Sequence, residues 1–250
     1  MNPNYEELDN ASLGIIPNPL KLVRALMRPN QSFVMINILS YKRQATGDFA
    51  HLTGEEAYEV YAKSVEKVQG PLDSRVLWAG QVHQDMAEDK LLPFDAIVLL
   101  EYASPKAFLQ ANFKGKSNTK ARIAGLKGQW LIASTTLSVG VLPDPDEEHI
   151  VLIELTGGNK RNPETVKRWY EFQQSTYQSV GAKTIWHGRC DHHILGTAMP
   201  EIEDVMVTWF PNPGSLEEVM HDPHRNQYLQ NIRSYLTYKA SSIDLLPELR

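Results

Sequence analysis

The run Phe33–Leu39 is apolar at every position but Asn37, the pattern of a strand covered on both faces. A loop from Ser40 to Leu52 leads to Thr53 and, three residues on, Glu56, the spacing of a reciprocal helix cap. Beyond it Ala57, Val60, Tyr61, Val65 and Val68 recur at helical spacing, and Gly70-Pro71 stops the helix. Val76–Val82, around Trp78, reads as a second strand, and Ala96–Tyr102 as a third after the turn Pro93–Asp95. Ser104 and Pro105 supply a cap and a first-turn proline to a helix that turns Phe108 and Leu109 inward. The basic stretch Lys114–Lys120 precedes a short helical turn around Arg122, and Gln129–Thr136 is a fourth strand.

Residues 143–148 hold two prolines and four acids, which neither continue a strand nor build a core, and so read as a linker. The order of elements then recurs. Ile150–Leu155 is a strand, and Asn162-Pro163 caps a helix with Val166, Trp169, Tyr170, Gln173, Tyr177 and Val180 on one side and Gly181 at its end. A strand around Trp186 follows, then Asp204–Phe210, a helix from Asn212-Pro213, and another from Asp222-Pro223. That last helix carries Tyr228, Leu229, Ile232, Tyr235 and Leu236 inward, and Tyr238–Ile243 closes the series as a strand.

Two short motifs share one offset. Trp78 and Trp186 stand 108 residues apart, each followed two places on by a glycine, Gly80 and Gly188, and the same offset relates Tyr102–Phe108 to Phe210–Leu216. A shared period over separate motifs points to a duplicated unit. Each unit reads strand–helix–strand–strand–helix–strand, which folds as a four-stranded antiparallel sheet with its helices on one face, the ferredoxin-like arrangement. The expected fold is therefore α+β, with two tandem ferredoxin-like domains. Their bare sheet faces pack on one another as a barrel-like sandwich, an intrachain equivalent of a dimeric α/β-barrel. The expected divisions are an extension over residues 1–31, a first domain over 32–142, the linker 143–148, and a second domain over 149–250. In the extension Pro17, Pro19 and Pro29 leave only Leu20–Met27 as a short helix; it packs outside the fold, reaches a partner subunit, or is a flexible tail.

Composition narrows the function classes. The 250 residues are 42% hydrophobic and 22% charged, ordinary for a globular chain. A net charge of -5 argues against a nucleic-acid partner, and no apolar run approaches the ~20 residues that span a bilayer. The polar, acidic start lacks the pattern of a leader, and Cys190 is the single cysteine, so a cytoplasmic protein is expected.

Several stretches of the first half resemble the dimeric α/β-barrel superfamily, and within it the bacterial family called domain of unknown function 1330. They are Val34–Lys42, Glu56–Tyr58 with Tyr61, Val76–Gly80, Phe94–Phe108, Arg122–Leu126 and Leu131–Thr135, about 100 residues in the right order. The second half is similar more loosely, through Trp186–Gly188, Pro213 and Asp222-Pro223. Two positions depart from the family pattern, with Glu101 where a basic residue is usual and Ala121 where a histidine precedes the arginine. Members are usually single-domain chains that dimerise, and the superfamily holds cofactor-independent monooxygenases, haem-degrading enzymes, lactone isomerases and ether-degradation accessory proteins. The resemblance thus implies a fold and a pocket more than a reaction.

The candidate chemistry is sparse. Asn37, an amide in an apolar strand, needs a partner: neighbouring backbone, or a ligand in the cleft beside this strand. Tyr58 and Tyr61, which offer hydroxyls on apolar rings, join it there with Arg122, and the first cleft is expected to be the better formed. Glu154 takes the matching place in the second half, near Trp169 and Tyr170, and makes that cleft tighter and more acidic. His187, Cys190, His192 and His193 crowd one strand, where alternation puts Cys190 and His192 on one face. A metal there would need two more ligands, from His221 or His224, and none is expected. His187 or His192 is a candidate proton carrier with Asn37, the bland alternative being surface histidines. Trp78 and Trp186, with Trp169, are core residues or the wall of an apolar cleft. Lys42-Arg43 and Lys160-Arg161 follow the two first strands and are solvated loop charges or a carboxylate-selecting pair, without the Walker spacing. The sequence therefore leads to a small hydrophobic or aromatic ligand, no cofactor and a possible homodimer. The protein is either a cofactor-independent enzyme, monooxygenase- or isomerase-like, or a non-catalytic binding or accessory protein.

Overall fold

A computed structural model of the chain describes residues 31–69, 74–83, 94–114, 119–143, 149–157, 163–195, 202–230, 232 and 234–244. The helix expected at Leu20–Met27, the stop at Gly70-Pro71, most of the basic stretch and of the linker, the Asn162 cap and the Lys160-Arg161 pair lie outside the described residues.

In chain order the elements are β1 (Phe33–Tyr41), a single 3-10 turn (Gly47–Phe49), α1 (Gly54–Gln69), β2 (Ser74–His83), β3 (Ala96–Tyr102), α2 (Pro105–Lys114), α3 (Thr119–Gly125) and β4 (Leu126–Val139). They continue with β5 (Ile150–Gly157), α4 (Pro163–Ser179), β6 (Lys183–Leu195), β7 (Asp204–Phe210), α5 (Pro213–Met220), α6 (Pro223–Leu229) and β8 (Ser234–Ser242). The helix starts are local. The Thr53 N–H donates to Glu56 Oε2 at 2.7 Å while Thr53 Oγ1 accepts from the Glu56 N–H at 3.2 Å. Ser104, Asn212 and Asp222 likewise accept backbone N–H bonds at the starts of α2, α5 and α6. Gly181, at φ +78, ends α4 in a conformation that side chains rarely adopt.

The eight strands close into one antiparallel barrel in the order β1-β3-β2-β8-β5-β7-β6-β4. Within it β4-β1-β3-β2 come from residues before 140 and β8-β5-β7-β6 from residues after 149, so the same order of pairing occurs twice. The bare faces of the two sheets do share one interior, as expected, and the sheet is in addition closed by hydrogen bonds. The two sheets join by their edges, at β2 with β8 (Gly80–His83 against Lys239–Ser242) and at β4 with β6 (Leu131–Val139 against Trp186–Leu195). Edge pairing satisfies backbone groups that a sandwich would leave open, which is why closure wins.

Alternate residues fill the interior: Val34, Ile36 and Ile38 of β1, Ile97 and Leu99 of β3, Val151, Ile153 and Leu155 of β5, Val205 and Val207 of β7. The other faces of the same strands meet the helices. Trp78 and Trp186 both lie inside, on β2 and β6. Each follows an irregularity in the pairing, between Val76 and Trp78 and between Thr184 and Trp186. Each ring also reaches across an edge joint: Trp78 Nε1 donates to Ser242 Oγ on β8 at 3.0 Å, and Trp186 Nε1 to Thr136 Oγ1 on β4 at 3.1 Å. The rings lie over Gly80 and Gly188, where an added Cβ would sit 2.2 and 2.1 Å from the tryptophan Cη2.

Some element ends differ from expectation. The last helix stops at Leu229, and Leu236 belongs to β8, which begins at Ser234 rather than Tyr238. The apolar spacing over Tyr228–Leu236 spans a helix end and a strand start, which periodicity over so few residues does not separate. On α1 the buried face holds Ala57, Tyr58 and Ala62, while Val60 is exposed.

Gly80→Ala and Gly188→Ala are each expected to lower stability by about 1–3 kcal/mol, since the added carbon displaces a packed indole. Denaturant unfolding measures it, and an unchanged midpoint would show that the rings are free to move off the glycines.

Candidate functional site

With the barrel interior packed, the polar chemistry lies in the two layers between strands and helices. In the first, Tyr41 ends β1 and Tyr58 and Tyr61 lie on α1. Their rings form a chain, 5.6 Å from Tyr41 to Tyr58 and 5.5 Å from Tyr58 to Tyr61. The Arg122 guanidinium of α3 stands 5.4 Å from the Tyr61 ring centre. α3 reaches this place because Gly54 and Gly125 let two backbones touch; an added Cβ on either would lie 2.5 or 2.3 Å from the other's carbonyl oxygen. The Lys42 N–H donates to Gly125 O at 2.8 Å and its Nζ to Ile123 O at 3.0 Å, so this lysine anchors α3.

Arg122 is 8% exposed. It donates through one Nη to Gln129 Oε1, while its Nε has no partner, and among the described residues no carboxylate pairs with it. A buried cation held by one neutral amide is costly. Around it the hydroxyls of Tyr58 and Tyr41 are pushed well above the usual range, first by burial and then by neighbouring tyrosine, so both stay protonated donors. Burial also raises the Glu55 carboxyl, with Glu59, Asp95 and Glu56 adding to the effect. Asp95 accepts the Tyr41 N–H at 2.5 Å.

Asn37 stands on the same outer face, opposite Val98 and Leu131, as a diagonal neighbour of Gln129. Its amide donates to Met35 O at 3.1 Å and Val98 O at 3.4 Å, the backbone alternative among the two expected.

In the second layer, Thr237, Glu154, Met206 and His187 lie directly across from one another on β8, β5, β7 and β6. Tyr170, Gln173 and Tyr177 stand over this row at helical spacing on α4. Glu154 is 1% exposed; Gln173 Nε2 donates to it at 2.7 Å and Tyr177 OH at 2.9 Å. His187 Nε2 is 3.6 Å from Asp204 Oδ1, and its ring centre is 4.8 Å from that of Tyr170. Burial, then Asp204, pushes the Tyr170 hydroxyl well up. That hydroxyl lies close to Asp204 without reaching hydrogen-bond geometry.

The remaining expected residues are spread out. Trp78 and Trp186 are inside the barrel, away from both layers. Trp169 packs on Phe172 and Ile232, with Tyr228 of α6 beside it. Asn37 and His187 lie in different layers. Cys190 and His192 do not share a face: Cys190 opposes Ser134 and His192 opposes Ala133, adjacent residues of β4, because the register shifts at Asp191. Cys190 thus points inward, with Ser134 Oγ 3.8 Å from its sulfur, and no three potential metal ligands come together among the described residues. Glu101, one of the departures from the family pattern, pairs across strands with Arg75 at 2.5 Å. Sequence reasoning missed Tyr41, Gln129 and Asp204. Gln173 did carry a signal, as a polar residue within an apolar helical stripe.

No known family's sequence profile matches the chain, and no curated protein matches it. Solved structures do. The chain is similar to a chlorite dismutase from Candidatus Nitrospira defluvii in complex with imidazole, at 9% identity and a TM-score of 0.53, over 90% of this chain and 97% of that one. It is also similar to a candidate monooxygenase from Lactobacillus acidophilus, at 12% identity and a TM-score of 0.50, over 85% and 94%. A protein of unknown function from Rhodopseudomonas palustris matches 48% of this chain and 95% of its own, at 23% identity and a TM-score of 0.41. Likeness at the level of the first two shows the fold alone, an antiparallel barrel with helices outside. No helix among the described residues is long and apolar enough to cross a membrane.

Burial pushes the Cys190 thiol up to about 12. Only the thiolate reacts, so at pH 8 a disulfide reagent is expected to leave the native thiol unmodified and to titrate it fully after unfolding. Rapid labelling of the native protein would show that the barrel opens at β6.

Proposed function

We propose that this chain is a small-molecule-binding α/β barrel whose first layer receives a hydrophobic or aromatic organic acid. The single observation that carries the reading is Arg122, a buried guanidinium with a free Nε, one amide partner and no described carboxylate. A ligand carboxylate supplies the missing charge, and Arg favours this fork-shaped partner. Tyr58 and Tyr61 offer apolar ring faces for the ligand's body, and Tyr41 extends that surface. Glu55 and Asp95, on the Tyr41 side, repel a carboxylate from that end and so favour one orientation. Asn37 supports the strand between rather than contacting the ligand.

The repeated strand order and the matching Trp–Gly pairs support descent of the two halves from one ferredoxin-like unit. On that reading the single chain supplies both halves of the barrel itself. A second functional reading is a cofactor-independent enzyme, and Glu55 favours it: its carboxyl, raised by burial and by neighbouring carboxylates, stands near Tyr41 and suits a general base.

Calorimetry with benzoate, phenylacetate and octanoate, against the matching amides, tests the reading. The acids are expected to bind and the amides to bind weakly. Arg122→Met is expected to cost about 10- to 100-fold in acid affinity, the ~1.5–3 kcal/mol of a charged hydrogen bond, while the fold survives loss of a buried charge. Equal binding of acid and amide, or an unaffected Arg122→Met variant, would sink the proposal.

A further inference from the structure

The two layers share one geometry and differ in chemistry. In the first, the row across the sheet is Leu131, Asn37, Val98 and Ala79. In the second, the corresponding row is Thr237, Glu154, Met206 and His187. Around this row Tyr170 OH, Gln173 Oε1, His187 Nε2 and Thr237 Oγ1 are buried without a hydrogen bond. Gln173 is the most telling. It is 3% exposed, and its Nε2 is committed to Glu154, so the free atom is an acceptor that only a donor can satisfy. Asp204, a second carboxylate, has His187 at 3.6 Å, beyond hydrogen-bond reach. The arginine directly opposite it, Arg189, turns to Asp191 at 3.1 Å instead.

We propose that the second half carries a binding site of its own, between this row and α4, for a small organic amine in its protonated form. Gln173 Oε1 and Asp204 are acceptors only, so a guest that meets both must bring protons, while the Tyr170 and Thr237 hydroxyls can donate or accept. An ammonium brings three donors and a positive charge for Gln173 Oε1 and Asp204. The rings of Tyr170 and His187, 4.8 Å apart, lie beside Asp204 and suit both the cation and an apolar body. The site has the opposite sign to the one at Arg122 and stands without it. A neutral guest would satisfy the acceptors but leave Asp204 unmatched. An anion would be repelled by both carboxylates.

Benzylamine is the probe, with benzyl alcohol and benzoate as controls, followed by calorimetry and by the imidazole resonances of His187. Benzylamine is expected to bind at least tenfold more tightly than benzyl alcohol and to shift His187. Asp204→Asn, at a partly exposed site that tolerates the change, is expected to weaken it at least tenfold. Gln173→Met is expected to weaken it as well, and Arg122→Met to leave it unchanged. The proposal is overturned if benzyl alcohol binds as well as benzylamine, if Asp204→Asn has no effect, or if benzylamine fails to bind and a crystal structure shows only ordered water against Gln173. Loss of amine binding in Arg122→Met would show one shared site and overturn it too. Because benzoate reports on Arg122 and benzylamine on Asp204, failure of either reading leaves the other standing.

Discussion

Closure of the sheet is the constraint on which the rest of this structure depends. An open four-stranded sheet covered by helices on one face leaves a bare apolar face and two unpaired edges. Joining β2 to β8 and β4 to β6 removes both at once, because the bare faces become one interior and the edges become ladders. The tryptophans are placed to hold these joints. Each bridges an edge junction through its ring nitrogen, and each ring occupies the space a side chain at Gly80 or Gly188 would need.

A closed and packed interior has a consequence for function. Phe94, Trp130 and Tyr238 meet inside the barrel, with ring centres 4.7 and 5.3 Å apart, among aliphatic residues from every strand. Polar chemistry is therefore displaced to the helical layers. There one order of strand pairing, present twice, holds two different sets of side chains. The first layer is a row with Asn37 as its one polar member, under a buried arginine delivered by α3; the second has Glu154 in its row and Asp204 beside it, under an amide, Gln173, delivered by α4. Charge of opposite sign on equivalent frames is what two binding specificities on one scaffold require.

The local parts of this arrangement were legible in the chain. The caps at Thr53, Ser104, Asn212 and Asp222 depend on atoms within three residues, so their hydrogen bonds follow from spacing alone. Strand alternation identified the buried runs, and the Trp–Gly offset pointed to strands that do occupy matching places in the pairing order. Tyr58, Tyr61 and Arg122 were nominated through family resemblance, and they do lie together.

What only the tertiary structure decided is which side chains meet, since that depends on residues far apart in the chain. Asn37 takes a carbonyl of Val98, 61 residues on, which strand composition alone does not reveal. A register shift at Asp191 separates Cys190 from His192, and a bulge is set by the partner strand rather than by the residues that bulge. The burial of Arg122 rests on the contact of Gly54 with Gly125, 71 residues apart, which brings α3 against α1. Spacing along the chain thus determined the elements and their caps, because those interactions are local. Barrel closure and the docking of two helices determined the chemistry, because burial changes what a charge or an amide requires, and burial is a property of the whole fold.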